Sequence, residues 1–281
     1  MELKPCRILA AVDPAEPAQT ALEAARLLAS HYGAVLEMTA VFELPPLYLM
    51  AAAEAGGPEI DWEEPRNRVL DRLGRLAEGL SEEAVHLRVE EGQAAEVLSR
   101  MAASAAYGLV VMGTHGYTGF KHVVFGSVAE SVVRRCAVPV LTVPLAGRLD
   151  RPKRLLVPYN MTPYADAALT RALAFADDWA AEVTVLHVAE GSSAAAGAVE
   201  RLGERLAASL GVDEARRVAA VVREGQAARG VIEEAVSGRH DLVVLSAHRS
   251  SLLRDAVLGT TAERVLRHSP IPVLAVPSDA A

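Results

Sequence analysis

The chain is written twice. CAVPVLTVP (Cys136–Pro144) returns as SPIPVLAVP (Ser269–Pro277), EGQAAEV (Glu91–Val97) as EGQAARG (Glu224–Gly230), and GSVAE (Gly126–Glu130) as GTTAE (Gly259–Glu263). Each copy lies 133 residues after the first. RILAAVD (Arg7–Asp13) and RLLVPYN (Arg154–Asn160) also correspond, but at an offset of 147. The 14-residue difference places an insertion in the first copy between Val41 and Glu91, with ELPPLYLMAAAEAGGP (Glu43–Pro58) its natural seat. A period this long means two homologous domains rather than a stack of short repeats. A chain of 281 residues can enclose two cores. Pro, Gly and charge accumulate at PLAGRLDRPK (Pro144–Lys153), so the expected domains are 1–147 and 148–281.

Each copy alternates short apolar runs with helical stretches. RILAAV, YGLVVM and VPVLTV lack polar/apolar alternation, which suits parallel strands buried on both faces. Helices are expected over Pro17–Gly33, after Pro65, over AAEVLSRMAASAA and over VAESVVRRCA. The order β-α-β-α-β-α-β-α-β predicts an α/β fold: two tandem doubly wound parallel five-stranded sheets with helices on both faces.

A net charge of −8 and a sequence pI near 5.5 argue against a nucleic-acid partner. The N-terminus lacks the apolar core of a signal peptide, and no run approaches a membrane span, so a cytoplasmic protein with no membrane partner is expected. Cys6 and Cys136, each in an apolar run, read as buried thiols rather than a disulfide framework. No Cys/His spacing suggests zinc. His187, within VTVLHVAE, reads as a satisfied strand-end residue.

The long loop MGTHGYTGFKHVVFGS (Met112–Ser127) carries the chemistry. Strand-to-helix loops usually take two to six residues. This one is far longer, with glycine at 113, 116, 119 and 126. Glycine lets backbone approach a ligand closely, and N–H groups at a helix start favour anions. In an open α/β sheet such a loop lies at the carboxyl ends of the strands, where ligands bind. Asp13, ending the first apolar run, can accept hydrogen bonds from ribose hydroxyls or a base amine. The plainer readings are that Ser127-x-x-Glu130 is a capping box, repeated at Thr260-x-x-Glu263, and that Asp13 caps a helix. Neither explains the loop's length or its other glycines. A P-loop is absent, as is a Rossmann G-x-G-x-x-G.

The spacing G-x2-G-x9-G-[ST] at Gly113, Gly116, Gly126 and Ser127, with Asp13 early and VPVLTVP late, resembles the universal stress protein family over essentially the whole chain. The resemblance implies a strand order of 3-2-1-4-5 and ATP held between the first and fourth strands, with Mg or Mn accompanying its phosphates. By position, Ala11, Asp13 and Val41 would surround adenine and ribose. Gly113, Thr114, His115, Gly116, Tyr117, Thr118 and Gly119, then Gly126, Ser127 and Val128, would wrap ribose and phosphates. It also implies pairing through the last strands, here Pro139–Val143 with Pro272–Val276, so that one chain forms a pseudo-dimer that can itself form a homodimer.

The second copy departs from this pattern. Its weaker site would be Pro158, Asn160, Ser246, Arg249, Gly259 and Thr260, with Ser246 and Arg249 standing where the first copy has Gly113 and Gly116. No paired carboxylate or nucleophile is visible, so no catalytic residue is assigned. The expected function is regulatory ATP binding with slow or no hydrolysis. The alternatives are a nucleotide-independent scaffold or a slow ATPase.

Overall fold

The computed structural model describes residues 4–13, 19–42, 63–81, 83–103, 107–114, 125–191, 196–248 and 258–278. The first half runs β1 (Arg7–Ala11), α1 (Gln19–Tyr32), β2 (Val35–Phe42), α2 (Glu63–Leu76), β3 (Val85–Glu91), α3 (Ala94–Ala103), β4 (Leu109–Gly113), α4 (Ser127–Arg135) and β5 (Val140–Val143). The second runs β6 (Arg154–Pro158), α5 (Pro163–Trp179), β7 (Glu182–Ala189), α6 (Ala198–Leu210), α7 (Val212–Ala215), β8 (Val218–Glu224), α8 (Ala227–Ser237), β9 (Leu242–His248), α9 (Thr260–His268) and β10 (Val273–Ser278). Helix α2 starts before Pro65, which sits in its first turn, where a missing amide N–H removes no intrahelical bond. The Glu43–Pro58 insertion lies outside the described residues.

Strand order is β3-β2-β1-β4-β5-β10-β9-β6-β7-β8. Each half therefore keeps the 3-2-1-4-5 order, and the expected pairing of the last strands joins the two five-stranded sheets into one continuous ten-stranded sheet. They join where β5 and β10 pair antiparallel, with Leu141 opposite Leu274. These two leucines are repeat equivalents, so the seam is a local pseudo-twofold axis, and a twofold forces like strands to run antiparallel.

Successive strand residues face opposite layers. Ile8 and Ala10 pack with α1, α2, α5 and α6, within one apolar cluster spanning both halves. Leu9 packs in a second cluster, against α3, α4, α8 and α9. Burial on both faces explains the unbroken apolar runs.

Both faces of the seam are tied. On one face Trp179 Nε1–H donates to Tyr32 Oη at 3.2 Å, and His31 stacks on Trp179 with ring centroids 3.7 Å apart. Burial pushes the Tyr32 phenol well above its ordinary range. On the other face four charges form a closed ring. Arg134 meets Glu130 at 2.6 Å and Glu263 at 3.6 Å; Arg267 meets Glu263 at 3.2 Å and Glu130 at 3.7 Å. Arg134 and Arg267, like Glu130 and Glu263, are repeat equivalents.

Two titratable groups are buried at the edge of the sheet from which the strands start. Glu37 (3% exposed) accepts a hydrogen bond from the Tyr107 hydroxyl, with Arg88 at 3.5 Å and Arg7 at 3.7 Å. Burial first, then the Glu37 bond, raises the Tyr107 pKa to about 12. Its repeat equivalent, His240, is also buried, with Nε2 3.5 Å from Glu234 Oε1 and Arg223 paired to the same carboxylate. Neither ring nitrogen makes a hydrogen bond among the described residues. Burial lowers the His240 pKa, and Arg154 acts the same way, while Glu234 and Asp241 oppose it.

That asymmetry sets a pH dependence. A histidine held below its unfolded value, about 6.5, binds protons less well folded than unfolded. Its contribution is complete above about pH 6.5 and is lost as pH falls below it. Chemical denaturation at pH 7.5 and 5.5 should show a smaller acid loss in His240→Gln than in the parent. Equal losses would exclude His240 as the source.

Cys6 is exposed, against expectation, because β1 begins only at Arg7; Cys136 is buried as expected.

Candidate functional site

The parallel ladder between β1 and β4 ends at Ala11 opposite Met112. Beyond it Val12 N–H continues the β1–β2 ladder to Thr39 O at 2.8 Å and Thr114 N–H the β4–β5 ladder to Val143 O at 3.2 Å, while no further pair joins β1 to β4 among the described residues. A crevice therefore opens between the ends of β1 and β4, the place where strand order reverses. Asp13 lies half-buried just past β1. Ala11, Val41 and Val128 are half-buried and pack on the same apolar cluster, which includes Leu9, Val110, Met112 and Phe125.

The long loop leaves β4 at Gly113, and its base is closed by a bond from Gly126 N–H to Thr114 O at 2.7 Å. Phe125 and Thr114 are buried beside this closure. His115, Gly116, Tyr117, Thr118 and Gly119 lie outside the described residues.

The expected capping boxes do not form. Gly126 is the N-cap of α4, and Ser127 is its first helical residue. Gly126 has no side chain to cap this helix, and Glu130 pairs with Arg134 instead of reaching back. Helix α9 repeats the arrangement with Gly259 as N-cap, Thr260 in the first position and Glu263 on Arg267. The N–H groups of Ser127 and Val128 thus have no intrahelical acceptor and face out of the helix end. Such a terminus favours an anion.

The second half modifies each of these features. Pro158 stands where the first half has Ala11 and has no N–H to give to a neighbouring strand. The β6–β9 ladder holds only at Leu155–Leu242 and Leu156–Val243, so these strands separate earlier, by two residues. Asn160 Oδ1 is engaged locally, accepting from Thr162 Oγ1 at 2.6 Å and Thr162 N–H at 3.4 Å. Tyr159, which matches Val12, donates its hydroxyl to Asp166, and Arg205 pairs with the same carboxylate. Burial and the Asp166 bond raise the Tyr159 pKa to about 12. His187 Nδ1 lies 2.9 Å from Tyr159 O, the satisfied role expected of it. Strand β9 continues through Ser246, paired with Val276, where β4 ends at Gly113. Arg249 lies outside the described residues; Gly259 and Thr260 open α9.

Sequence reasoning missed the Tyr159–Asp166–Arg205 group. The aromatic residue at the end of β6 was its only signal.

Among the described residues no cluster of three or more His, Cys, Asp or Glu is disposed to hold a metal ion. No helix among them is long and apolar enough to cross a membrane.

The profile of the universal stress protein family matches residues 6–144 and again 152–277. The chain belongs to the universal stress protein family. Its curated relatives include Universal stress protein MJ0531 of Methanocaldococcus jannaschii, 29% identical over 142 residues, which cover 47% of this chain and 79% of that protein. Universal stress protein Slr1230 of Synechocystis is 34% identical over 77 residues, and the chain spans only 27% of its length. A universal stress protein of Archaeoglobus fulgidus shares the fold over 97% of this chain and 98% of its own, with a TM-score of 0.65 and 18% identity. One universal stress protein structure is a complex with cAMP.

Proposed function

We propose that the first half of this universal stress protein binds ATP between β1 and β4 as a regulatory ligand, with slow or no hydrolysis. The observation that carries this reading is the end of the β1–β4 ladder at Ala11 and Met112, where the strand order reverses and Val12 and Thr114 N–H stay bonded outward to β2 and β5. The donor set fits a nucleotide. Ala11, Val41 and Val128 offer half-buried apolar surface to a base. Asp13 would accept from ribose hydroxyls. Gly126 N–H is engaged by Thr114, so Ser127 and Val128 N–H and the Ser127 hydroxyl are the donors for phosphate. ATP brings its own triphosphate chelate for Mg or Mn, so the ion does not require a protein cluster. The domain boundary at 147/148 follows the same reading: one half with the full glycine pattern, one without.

A nucleotide-independent scaffold role is favoured for the second half by one observation. Asn160, at the position of Asp13, is engaged by Thr162. The test is calorimetric titration of Mg·ATP into the full chain, with mass spectrometry of small molecules extracted from freshly purified protein. Saturable binding at one site is expected. Absence of both heat and extracted nucleotide would sink the reading.

A further inference from the structure

We propose that the free edge of β8 pairs antiparallel with β8 of a second copy of this chain, around a twofold axis, so that the sheet runs on from one molecule into the next. The strand order ends at β3 on one side and β8 on the other. An edge strand leaves a row of N–H and C=O groups open to a further strand, and proteins commonly blunt it with charge. Strand β3 is blunted in this way: VHLRVEE carries Arg88, Glu90 and Glu91. Strand β8 is not: VAAVVRE opens with an uncharged apolar run, Val218 to Val222, before Arg223 and Glu224. The last strands of the two repeats, β5 and β10, are consumed at the seam inside one chain, so the β8 edge is a separate surface.

Which backbone groups face outward follows from the ladder. Strand β8 runs parallel to β7, and Gly225 N–H, one residue past its end, donates to Ala189 O. Backbone groups alternate sides along a strand, so Arg223, Val221 and Ala219 also direct their N–H and C=O toward β7. Val218, Ala220, Val222 and Glu224 direct theirs away from it. Ala219 and Ala220 are exposed, and Val221 and Val222 are half-buried.

One register matches this edge to itself, and that match names a second copy as the occupant. Centred on Ala220, it sets Ala220 against its own counterpart, Val218 against the second copy's Val222, and Ala219 against the second copy's Val221. The whole apolar run then meets apolar residues. Centring on Val221 would set Glu224 against Val218, and centring on Ala219 would set Arg217 against Val221. The Ala220 register also sets Glu224 against the second copy's Arg216, twice by symmetry. Glu224 is exposed and pairs with no cation among the described residues. Arg216 reaches only Asp213, at 3.7 Å with both side chains largely in water, so it is free to turn to a new partner. The like-charged pair in this register, Arg217 with Arg223, is already neutralised within each chain: Asp177 and Glu214 hold Arg217, and Glu234 holds Arg223. Apolar and opposite-charge pairs across two antiparallel strands stabilise the pairing, and a twofold contact closes at two copies.

The experiment is sedimentation velocity of the full chain over about 1–200 µM, with Ala220→Pro, Glu224→Arg, Arg216→Glu and the double charge swap. The parent should pass from monomer to dimer as concentration rises and stop there. Proline at 220 removes an N–H that faces outward and spares the ladder to β7, so it should weaken dimerisation by about tenfold or more with the thermal midpoint unchanged. Each single charge swap sets like charges together twice in the dimer and should weaken it by roughly threefold to tenfold. The double swap should restore the parent's dimer, and it decides the matter even where Ala220→Pro fails to fold. The proposal is overturned if the parent stays monomeric throughout, or if it grows beyond a dimer, the mark of β8 joining β3 of the next copy. It is equally overturned if Ala220→Pro folds and dimerises like the parent, or if the double swap does not recover what the single swaps lose.

Discussion

Truncating Leu141 to alanine is expected to cost the protein about 2–5 kcal/mol, the range for deleting a buried leucine side chain. Leu141 is 1% exposed, and its register partner across the seam is Leu274 at 2%. Both belong to the apolar cluster that runs through the two halves. The cost exceeds what any one of the surrounding ion pairs supplies. The four members of the charge ring keep between 25% and 37% of their side-chain surface in water. Each of their pairs contributes about 1 kcal/mol or less once solvent screening is counted. Losing one leucine side chain therefore costs the seam more than losing any one pair of the ring.

The measurement is urea denaturation followed by Trp179 fluorescence in a Trp62→Phe background, because the chain's other tryptophan, Trp62, belongs to the first half. Trp179 sits in the second half, bonded to Tyr32 of the first, so it reports on a first-half substitution only if the halves share one core. A clear drop in midpoint is expected. Leu141→Ala with Leu274→Ala should cost less than the two single effects added, because the two side chains share one cavity. A loss under about 1 kcal/mol from Leu141→Ala would show that the seam does not belong to the core.

What the sequence made legible, and what it did not, follows from the range of the interactions concerned. The apolar runs are local signals, and the strands appear where RILAAV, YGLVVM and VPVLTV lie. The repeat offsets carry over to the register: Val12 bonds Thr39 O, and Tyr159 bonds Leu186 O, its equivalent 147 residues on. The strings read as capping boxes mark the helix starts but form no box. S-x-x-E is satisfied equally by a cap or by a first-turn residue with an i,i+4 partner, and Arg134 and Arg267 decide for the second. Burial of Glu37 and His240 was illegible because their partners, Tyr107, Arg88 and Arg223, come from other strands and turns. The pairing that fuses the two sheets was expected from the family resemblance and not from any local signal. Nothing local in VLTV distinguishes an edge strand from the middle of a ten-stranded sheet. Pro158 is the reverse case: a residue visible in the sequence whose consequence, a ladder two residues shorter, needed the partner strand to be seen.

Replacing Gly116 with arginine, the residue at the matching place in the second half, should weaken ATP binding by at least about 30-fold, or roughly 2 kcal/mol, and leave the fold intact. Gly116 itself lies outside the described residues, so the expectation rests on what brackets it. Thr114, two residues earlier, is buried and accepts Gly126 N–H, so the loop leaves from and returns to one fixed point beside the crevice. Within a loop pinned at its base, a glycine two residues from the closure is where backbone can lie against phosphate. Arginine there adds a long side chain to that path. Its charge alone would favour phosphate, so the sign of the effect separates two ideas. A loss means that close backbone approach dominates, and a gain means that charge dominates. Gly116→Ala, which adds one methyl group and no charge, should fall between parent and arginine variant in the first case. Thermal midpoints should agree within about 2 °C for all three, the result expected if the substitution acts on the ligand and not on the packing. If the arginine variant binds ATP as the parent does, the glycine loop is not the phosphate contact, and the asymmetry between the halves must be sought at Ala11 and Pro158.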